Sequence, residues 1–595
     1  MLAPLTVAVP ILAAGLLVVA GRWIRRAVTE TVSLAAAVAT AVCAVLLAVG
    51  GRTVTWLGGW RPHGHTVGIV FVADPIGAGL AALAAILVTA AIVYGWRYFP
   101  DAEIPYQALL LLFLGGMAGF SVTADLFDMF VFFELMGAAA YALTGFRVEE
   151  PESVQGSLTF GVTNSLGAYL TLMGVGLLYA RTGQLGLAQM GVELASRPVD
   201  ILVTAGFVLV CCGFLVKAAI VPFHFWLADA HAVAPTPVCV LLSGVMAELG
   251  VYGIARVYWV TFSDTLAAPS VRRALLALGV ATALLGATMC LAQRHLKRLL
   301  AYSTVAHQGL FLVGVAVLSP DGVHGTALYV LGHAGTKGAL FLLTGVLLNR
   351  YGSVDEVALH GRAGLRTAVA WLFFAGGLAL SGLPPFGPGL GKGLAEDAAT
   401  HAGFAWLSAV FVLVSALTGG AVLRAGLRVF AGIGSPARPQ HPSQETSGEH
   451  EAPEEPITGT PVVMVGTAAA LLVGALAVGL VPPFSAAIGR AAEEFTDRYG
   501  FVQQTLYGIR PLPPVEPSGT WWSPAGLLLG FAGTALAVAV ALIAVAGVPQ
   551  RLARSADWLS APMGLLHRLH SGHIGDYVAW LFAGLAAFAL LIGLS

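Results

Sequence analysis

Apolar runs of about 20 residues, enough to cross a bilayer as a helix, follow one another almost end to end in this chain, and sixteen can be counted. Backbone amides in hydrocarbon have no water to bind, so each run must satisfy its own hydrogen bonds as a helix. The expected fold class is therefore an all-α polytopic membrane protein. Charge agrees with this, since 10% of the 595 residues are charged, against about 25% in a soluble domain. The net charge of -1 argues against a nucleic-acid partner. Cys43, Cys211, Cys212, Cys239 and Cys290 lie in or beside apolar runs and form no CxxC or Cys/His cluster. They read as small buried hydrophobes, and no cofactor or metal site is expected. The start of the chain lacks a basic n-region, so Leu2 to Ala20 reads as a retained first span.

Alternate loops differ in basic residues. One set holds 15 Lys/Arg, including Arg22, Arg97, Arg147, Lys297 and Arg350, and the other holds nine, including Arg52, Arg181 and Arg498. The excess places the first set in the cytoplasm. With an even number of spans, both termini then lie outside the plasma membrane of a prokaryote.

The stretch Phe214 to Val238 carries the strongest single signal. Lys217 stands inside its apolar run, and Pro222 removes a backbone donor five residues later, so a helix must break there. His224, Trp226, Asp229 and His231 follow, before Pro235 and Pro237 restart an apolar run. A charge at membrane depth costs at least a few kcal/mol and marks a functional site by default. Further titratable groups lie inside other spans: Glu134, Glu248, His307, His333 with Lys337 four residues on, and Lys392. One such group is compatible with packing, and a lone His307 more often is packing. A series points to a polar axis that passes protons stepwise. Asp125 and Asp128, at the mouth of a span, are expected to face water. Glu396 and Asp397 either partner Lys392 or face outside. No phosphate-binding glycine loop and no nucleophile–base pair is legible, so the chemistry is ion movement rather than bond making.

A second broken span is expected at LSGLPPFGPGLGKG, where Lys392 follows the prolines instead of preceding them. Interrupted spans at matching places in two five-span sets point to inverted repeats around a midplane site. The expected organisation is an N-terminal segment 1–105, a first repeat 106–265 with Glu134 and Lys217, and a second repeat 266–432 with His333, Lys337 and Lys392. A mobile cytoplasmic loop 433–459 and a C-terminal segment 460–595 follow. Within the last, 551–570 mixes basic and apolar residues and reads either as a helix in the membrane interface or as a cytoplasmic connector.

The phrases FFELMGAAAYALTGF, LVKAAIVPFHFWLADAHAVAPTPVCVLLSGV, LKRLLAYSTVAHQG, HAGTKGALFLLTG and LSGLPPFGPGLGK occur in this order. They resemble the proton-conducting antiporter-like subunits of respiratory complex I, of membrane-bound hydrogenases and formate hydrogenlyases, and of Mrp cation/proton antiporters. The resemblance covers roughly residues 100–430. It implies a fourteen-helix core with two inverted five-helix repeats and discontinuous seventh and twelfth helices. It also implies an adjustable ion pair of Glu134 with Lys217, connecting roles for His333 and Lys337, and an outlet at Lys392. The family commonly carries lysine where AELGVYG has Glu248, which reverses the charge there, and His295 stands where aspartate is common. The ending HSGHIGDYVAWLF looks like the large hydrogenase-type subunit.

The function implied is a proton-translocating subunit of a multisubunit membrane complex, with redox chemistry in partner subunits. The chain itself would be a translocase component of an oxidoreductase, hydrogenase-type or NADH:quinone oxidoreductase-like. A cation/proton antiporter module, moving protons and Na+, is the competing reading. A membrane scaffold for inorganic-carbon uptake is a third.

Overall fold

Fourteen helices among the described residues are long and apolar enough to cross a membrane. Spans 1 to 6 are Leu2–Ala20, Arg26–Val49, Pro75–Tyr98, Ile104–Val122, Leu126–Thr144 and Pro151–Thr182. Spans 8 to 11 are Thr236–Phe262, Ala268–Ala292, Leu296–Ala316 and Pro320–Tyr351, and spans 13 to 16 are Leu407–Ala431, Val462–Leu480, Pro524–Ala546 and Ile574–Gly593. Spans 7 and 12 each consist of two short helices, Ile201–Lys217 with Phe225–Val233, and Ala368–Leu380 with Gly387–His401. This computed structural model describes residues 2–58, 68–98, 104–434, 461–509, 521–546 and 572–593. The stretch 551–570 and most of the loop 433–459 lie outside them.

The two sets of five spans repeat each other in local detail. Spans 6 and 11 are both 32-residue helices that start on proline. Both end on a left-handed glycine, Gly183 at φ 69° and Gly352 at φ 68°, which only glycine adopts without a Cβ penalty. The entries to spans 5 and 10 match as well. Asp125 bridges to Gly186, and His295 bridges to Asp355. Each caps its helix by accepting a backbone N–H three residues on, from Asp128 and Arg298 respectively. Asp125 therefore does not face water as expected. It is buried, because its carboxylate is committed to the helix start. His295 Nδ1 does the same work at 3.3 Å, so a histidine replaces an acid there without loss of the cap.

The breaks in spans 7 and 12 also correspond. Ala218 and Ser381 hydrogen-bond back to Phe214 and Gly377, Ile220 and Leu383 to Leu215 and Leu378, and Phe223 and Phe386 to Ile220 and Leu383. Ala219 at φ 52° and Gly382 at φ 91° hold the same left-handed position, and each break has a cis proline peptide, Val221–Pro222 and Pro384–Pro385. One C-terminal span covers each break. In span 16, a Cβ on Gly584 would stand 2.6 Å from Pro222 and Phe223. In span 15, one on Gly530 would stand 2.9 Å from the Gly382 oxygen, and Thr534 accepts from Ser381 at 3.0 Å. Small residues let these helices approach closely.

One face of the molecule carries structure between spans. Strands β1 (Thr53–Leu57) and β2 (Ile69–Ala73) pair antiparallel, Thr53 opposite Ala73. Helices Pro482–Thr496 and Arg498–Tyr507 lie on the same face. They are tied down by Arg52 with Glu494, by Arg498 to Asp264 and the Gly191 oxygen, and by His324 Nε2 at 3.0 Å from the Ser485 oxygen.

Candidate functional site

Span 7 stops at Lys217 because Pro222 cannot continue the helix. Lys217 is fully buried. Its ammonium lies 4.0 Å from the centre of the Phe133 ring, and a Cβ on Gly137 would stand 3.4 Å from Nζ. Phe133 and Gly137 flank Glu134 on span 5, so the lysine reaches the turn that carries the acid. Glu134 is half-buried, and Lys217 Nζ has no hydrogen-bond partner among the described residues. The ring face supplies the contact that the carboxylate does not. Trp226 holds the break by donating to the Val216 oxygen at 2.9 Å while its ring stacks on Phe160 at 4.5 Å.

Span 8 is wound as a π-helix over Leu242–Met246, one turn ahead of Glu248, a distortion frequent at functional sites. Glu248 Oε1 lies 3.5 Å from His333 Nδ1 of span 11. The His333 and His307 rings are 4.8 Å apart. His307 Nδ1 is 2.6 Å from the Ser303 oxygen, and the Ser303 hydroxyl accepts from Lys337 Nζ at 2.7 Å. Lys337 also donates to the Leu300 oxygen. Four expected residues thus form one contact chain, with Ser303 as its hinge. All four are buried.

Lys392 stands apart from that cluster, buried in the second half of span 12. It donates to Ser415 at 3.4 Å and is covered by Gly533 of span 15. Glu396, one turn on, does not face outside. It is 1% exposed, and both carboxylate oxygens lack hydrogen-bond partners among the described residues.

Two residues were missed as site members. Lys297 counts in sequence as a basic loop residue beside Arg298, yet it is fully buried and donates to the Ala234 oxygen at 2.8 Å, at the end of span 7. His231 stacks on Phe341 at 4.8 Å, with both ring nitrogens unpartnered among the described residues. Only the fold reveals that the start of span 10 meets the end of span 7. Asp229, by contrast, is tied at the rim by Tyr577 at 2.9 Å and Arg298 at 3.6 Å.

The sequence pattern described as NADH:quinone oxidoreductase/Mrp antiporter, TM, matches residues 123–418. NADH-quinone oxidoreductase subunit N of Desulforudis audaxviator is 34% identical over 367 residues, 61% of this chain and 72% of that protein. The chain belongs to the NADH:quinone oxidoreductase/Mrp antiporter membrane family. A Na(+)/H(+) antiporter subunit of Bacillus subtilis is 31% identical over 61% of this chain and 74% of its own length. A chain in the structure of the Mrp complex from Dietzia sp. aligns at a TM-score of 0.72 and 29% identity, covering 85% of this chain and 99% of that one. A chain of the archaeal membrane-bound sulfane sulfur reductase shares the fold at a TM-score of 0.74 and 24% identity. The matched region of the family contains every expected site residue, from Glu134 to Lys392.

Proposed function

We propose that this chain moves protons across the membrane through Glu134, Lys217, Glu248, His307, His333, Lys337 and Lys392, as one subunit of a multisubunit membrane complex whose redox chemistry lies in partner subunits. The observation that carries this reading is the contact chain Glu248–His333–His307–Ser303–Lys337 at membrane depth. Among the described residues, Glu248 and His333 are left without full hydrogen bonding, whereas buried polar groups kept only for packing are normally fully hydrogen-bonded. Residues 106–265 and 266–432 serve as two half-channels, each entered beside a broken span. The loops with more Lys/Arg face the cytoplasm of a prokaryotic cell, and both termini face outward.

A second reading, a Na+/proton antiporter module, is favoured by the 29% identity to a chain of the Mrp complex. The test is proton flux in vesicles holding the intact assembly, with and without Na+, for the native chain and Lys217→Ala. Flux lost in Lys217→Ala supports conduction through this chain. Equal flux in both sinks it. A strict requirement for Na+ selects the second reading.

A further inference from the structure

Span 12 does not end at Lys392. After its break, the second half runs from Gly387 to His401. A proton on Lys392 is therefore still about 14 Å of helix, at 1.5 Å per residue, from the end of the span. Residues four apart share a helix face, and Lys392, Glu396 and Thr400 mark one face turn by turn. Lys392 and Glu396 are each 1% exposed, whereas Thr400 is exposed. The Thr400 hydroxyl donates to the Glu396 backbone oxygen at 2.9 Å. A buried acid thus stands midway between the buried lysine and an exposed polar side chain.

A broken span does not need an acid at this place. Phe223 matches Phe386 in the hydrogen-bond pattern of the two breaks, and equally far beyond them stand Val233 and Glu396. The first break fills the position with a buried apolar side chain. Packing does not satisfy the acid either. Both carboxylate oxygens lack a hydrogen-bond partner among the described residues, which is costly for a buried carboxylate. Lys392 donates instead to Ser415 at 3.4 Å. Lys392 and Asp397 of the same helix and the Tyr329 hydroxyl of span 11 lie within electrostatic reach of Glu396. Spans 11 and 12 meet backbone to backbone here, since a Cβ on Gly391 would strike the main chain of Tyr329. The Tyr329 ring lies 5.8 Å from that of His307, and its hydroxyl neighbours Ser415, the residue that Lys392 meets. Tyr329 and Ser415 thus stand between the His307 cluster and the Lys392–Glu396 face.

We propose that Glu396 carries protons one turn beyond Lys392 and is the group from which they leave the second half-channel. The Lys392 ammonium gives its proton to the Glu396 carboxylate, leaving a neutral amine and a neutral acid. The acid then releases the proton toward Thr400 and the end of the span, and is a carboxylate again. In the orientation proposed above, that end faces outward. This role rests on the conduction path proposed above and adds a residue to it.

The test reads proton flux in vesicles holding the intact assembly, together with the yield of assembled complex and its thermal midpoint. It compares the native chain, Lys217→Ala and three changes at one position. Glu396→Gln keeps the shape of the acid, Glu396→Val copies the first break, and Glu396→Asp keeps a carboxyl group. The glutamine and valine variants should keep yield and midpoint and lower flux at least tenfold, and the aspartate variant should recover most of the flux. A residue kept for packing would behave otherwise, since valine would serve and aspartate would gain nothing. Flux lost in Lys217→Ala but kept in Glu396→Gln overturns the role of Glu396 and leaves the conduction reading standing. Flux kept in both overturns the two together. An aspartate variant no better than glutamine, or failure of both the glutamine and valine variants to assemble, would make Glu396 a structural residue and overturn its role.

Discussion

Glu248 of span 8 and His333 of span 11 face each other at 3.5 Å, Oε1 to Nδ1, and neither side chain has a hydrogen-bond partner among the described residues. The separation is slightly long for a good hydrogen bond. Lys337, four residues beyond His333, does not hold the acid, because its ammonium is committed to the Leu300 oxygen and the Ser303 hydroxyl. The acid is therefore turned toward a histidine, which donates or accepts a proton with little motion.

If this contact is a transfer step, Glu248→Gln and His333→Phe should each lower proton flux at least tenfold while the assembly still forms. Glutamine keeps the shape of the acid, and phenylalanine keeps the ring packing on Phe311 at 5.2 Å. The double variant should be no worse than the poorer single variant, because residues acting in one step are not additive. Multiplying losses, read as flux in the same vesicles, would show that the two residues work separately.

Lys217 rests on the Phe133 ring rather than on Glu134. A desolvated cation–π contact is worth about 2 kcal/mol, enough to hold the ammonium while the acid is out of reach. Phe133→Leu should lower flux, and Phe133→Tyr, which keeps a ring face, should restore most of it. Flux unchanged by leucine would mean that the ring is only packing.

Asp74 and Arg256 form a buried ion pair near the face that carries the helix Pro482–Thr496. The guanidinium also lies 4.1 Å from the centre of the Phe495 ring, in that helix. Removing one partner of such a pair typically costs about 3–5 kcal/mol, because a buried charge is left unpaired. Arg256→Met should therefore sharply reduce the yield of folded chain and its thermal midpoint in detergent. Asp74→Asn combined with Arg256→Met should recover much of the loss. A single variant as stable as the native chain would show the pair to be dispensable.

The span count, the breaks at Pro222 and at Pro384 with Pro385, and the burial of Lys217, Glu248, His333, Lys337 and Lys392 were legible because each shows within one apolar run. A charge at membrane depth and a proline in a helix need no partner to be noticed. The ion pairs were not legible. Asp74 and Arg256, or Glu356 with Arg424 and Arg428, are far apart in sequence, and each reads alone as a charge near a span end. Lys297 failed for the same reason, since its place among loop residues hid a contact made only when span 10 meets span 7. The helices Leu187–Ala195, Pro482–Thr496 and Arg498–Tyr507 are too short and too polar to register as spans.

The two breaks share a hydrogen-bond pattern but differ at the residue that must turn left-handed. Ala219 adopts φ 52°, and Gly382 adopts φ 91°. An L-residue in this region costs roughly 1–2 kcal/mol, so Ala219→Gly should leave folding intact or raise stability slightly. Gly382→Ala meets two obstacles. Its backbone angle disfavours a side chain, and the new Cβ would stand 2.8 Å from Lys392 Nζ. The lysine is the flexible partner and should give way, shifting its ammonium from the Ser415 hydroxyl. Gly382→Ala is therefore expected to keep the assembly and lose flux, whereas Ala219→Gly keeps both. Measured side by side in the same vesicles, equal flux in the two variants would show that the position of Lys392 does not limit conduction.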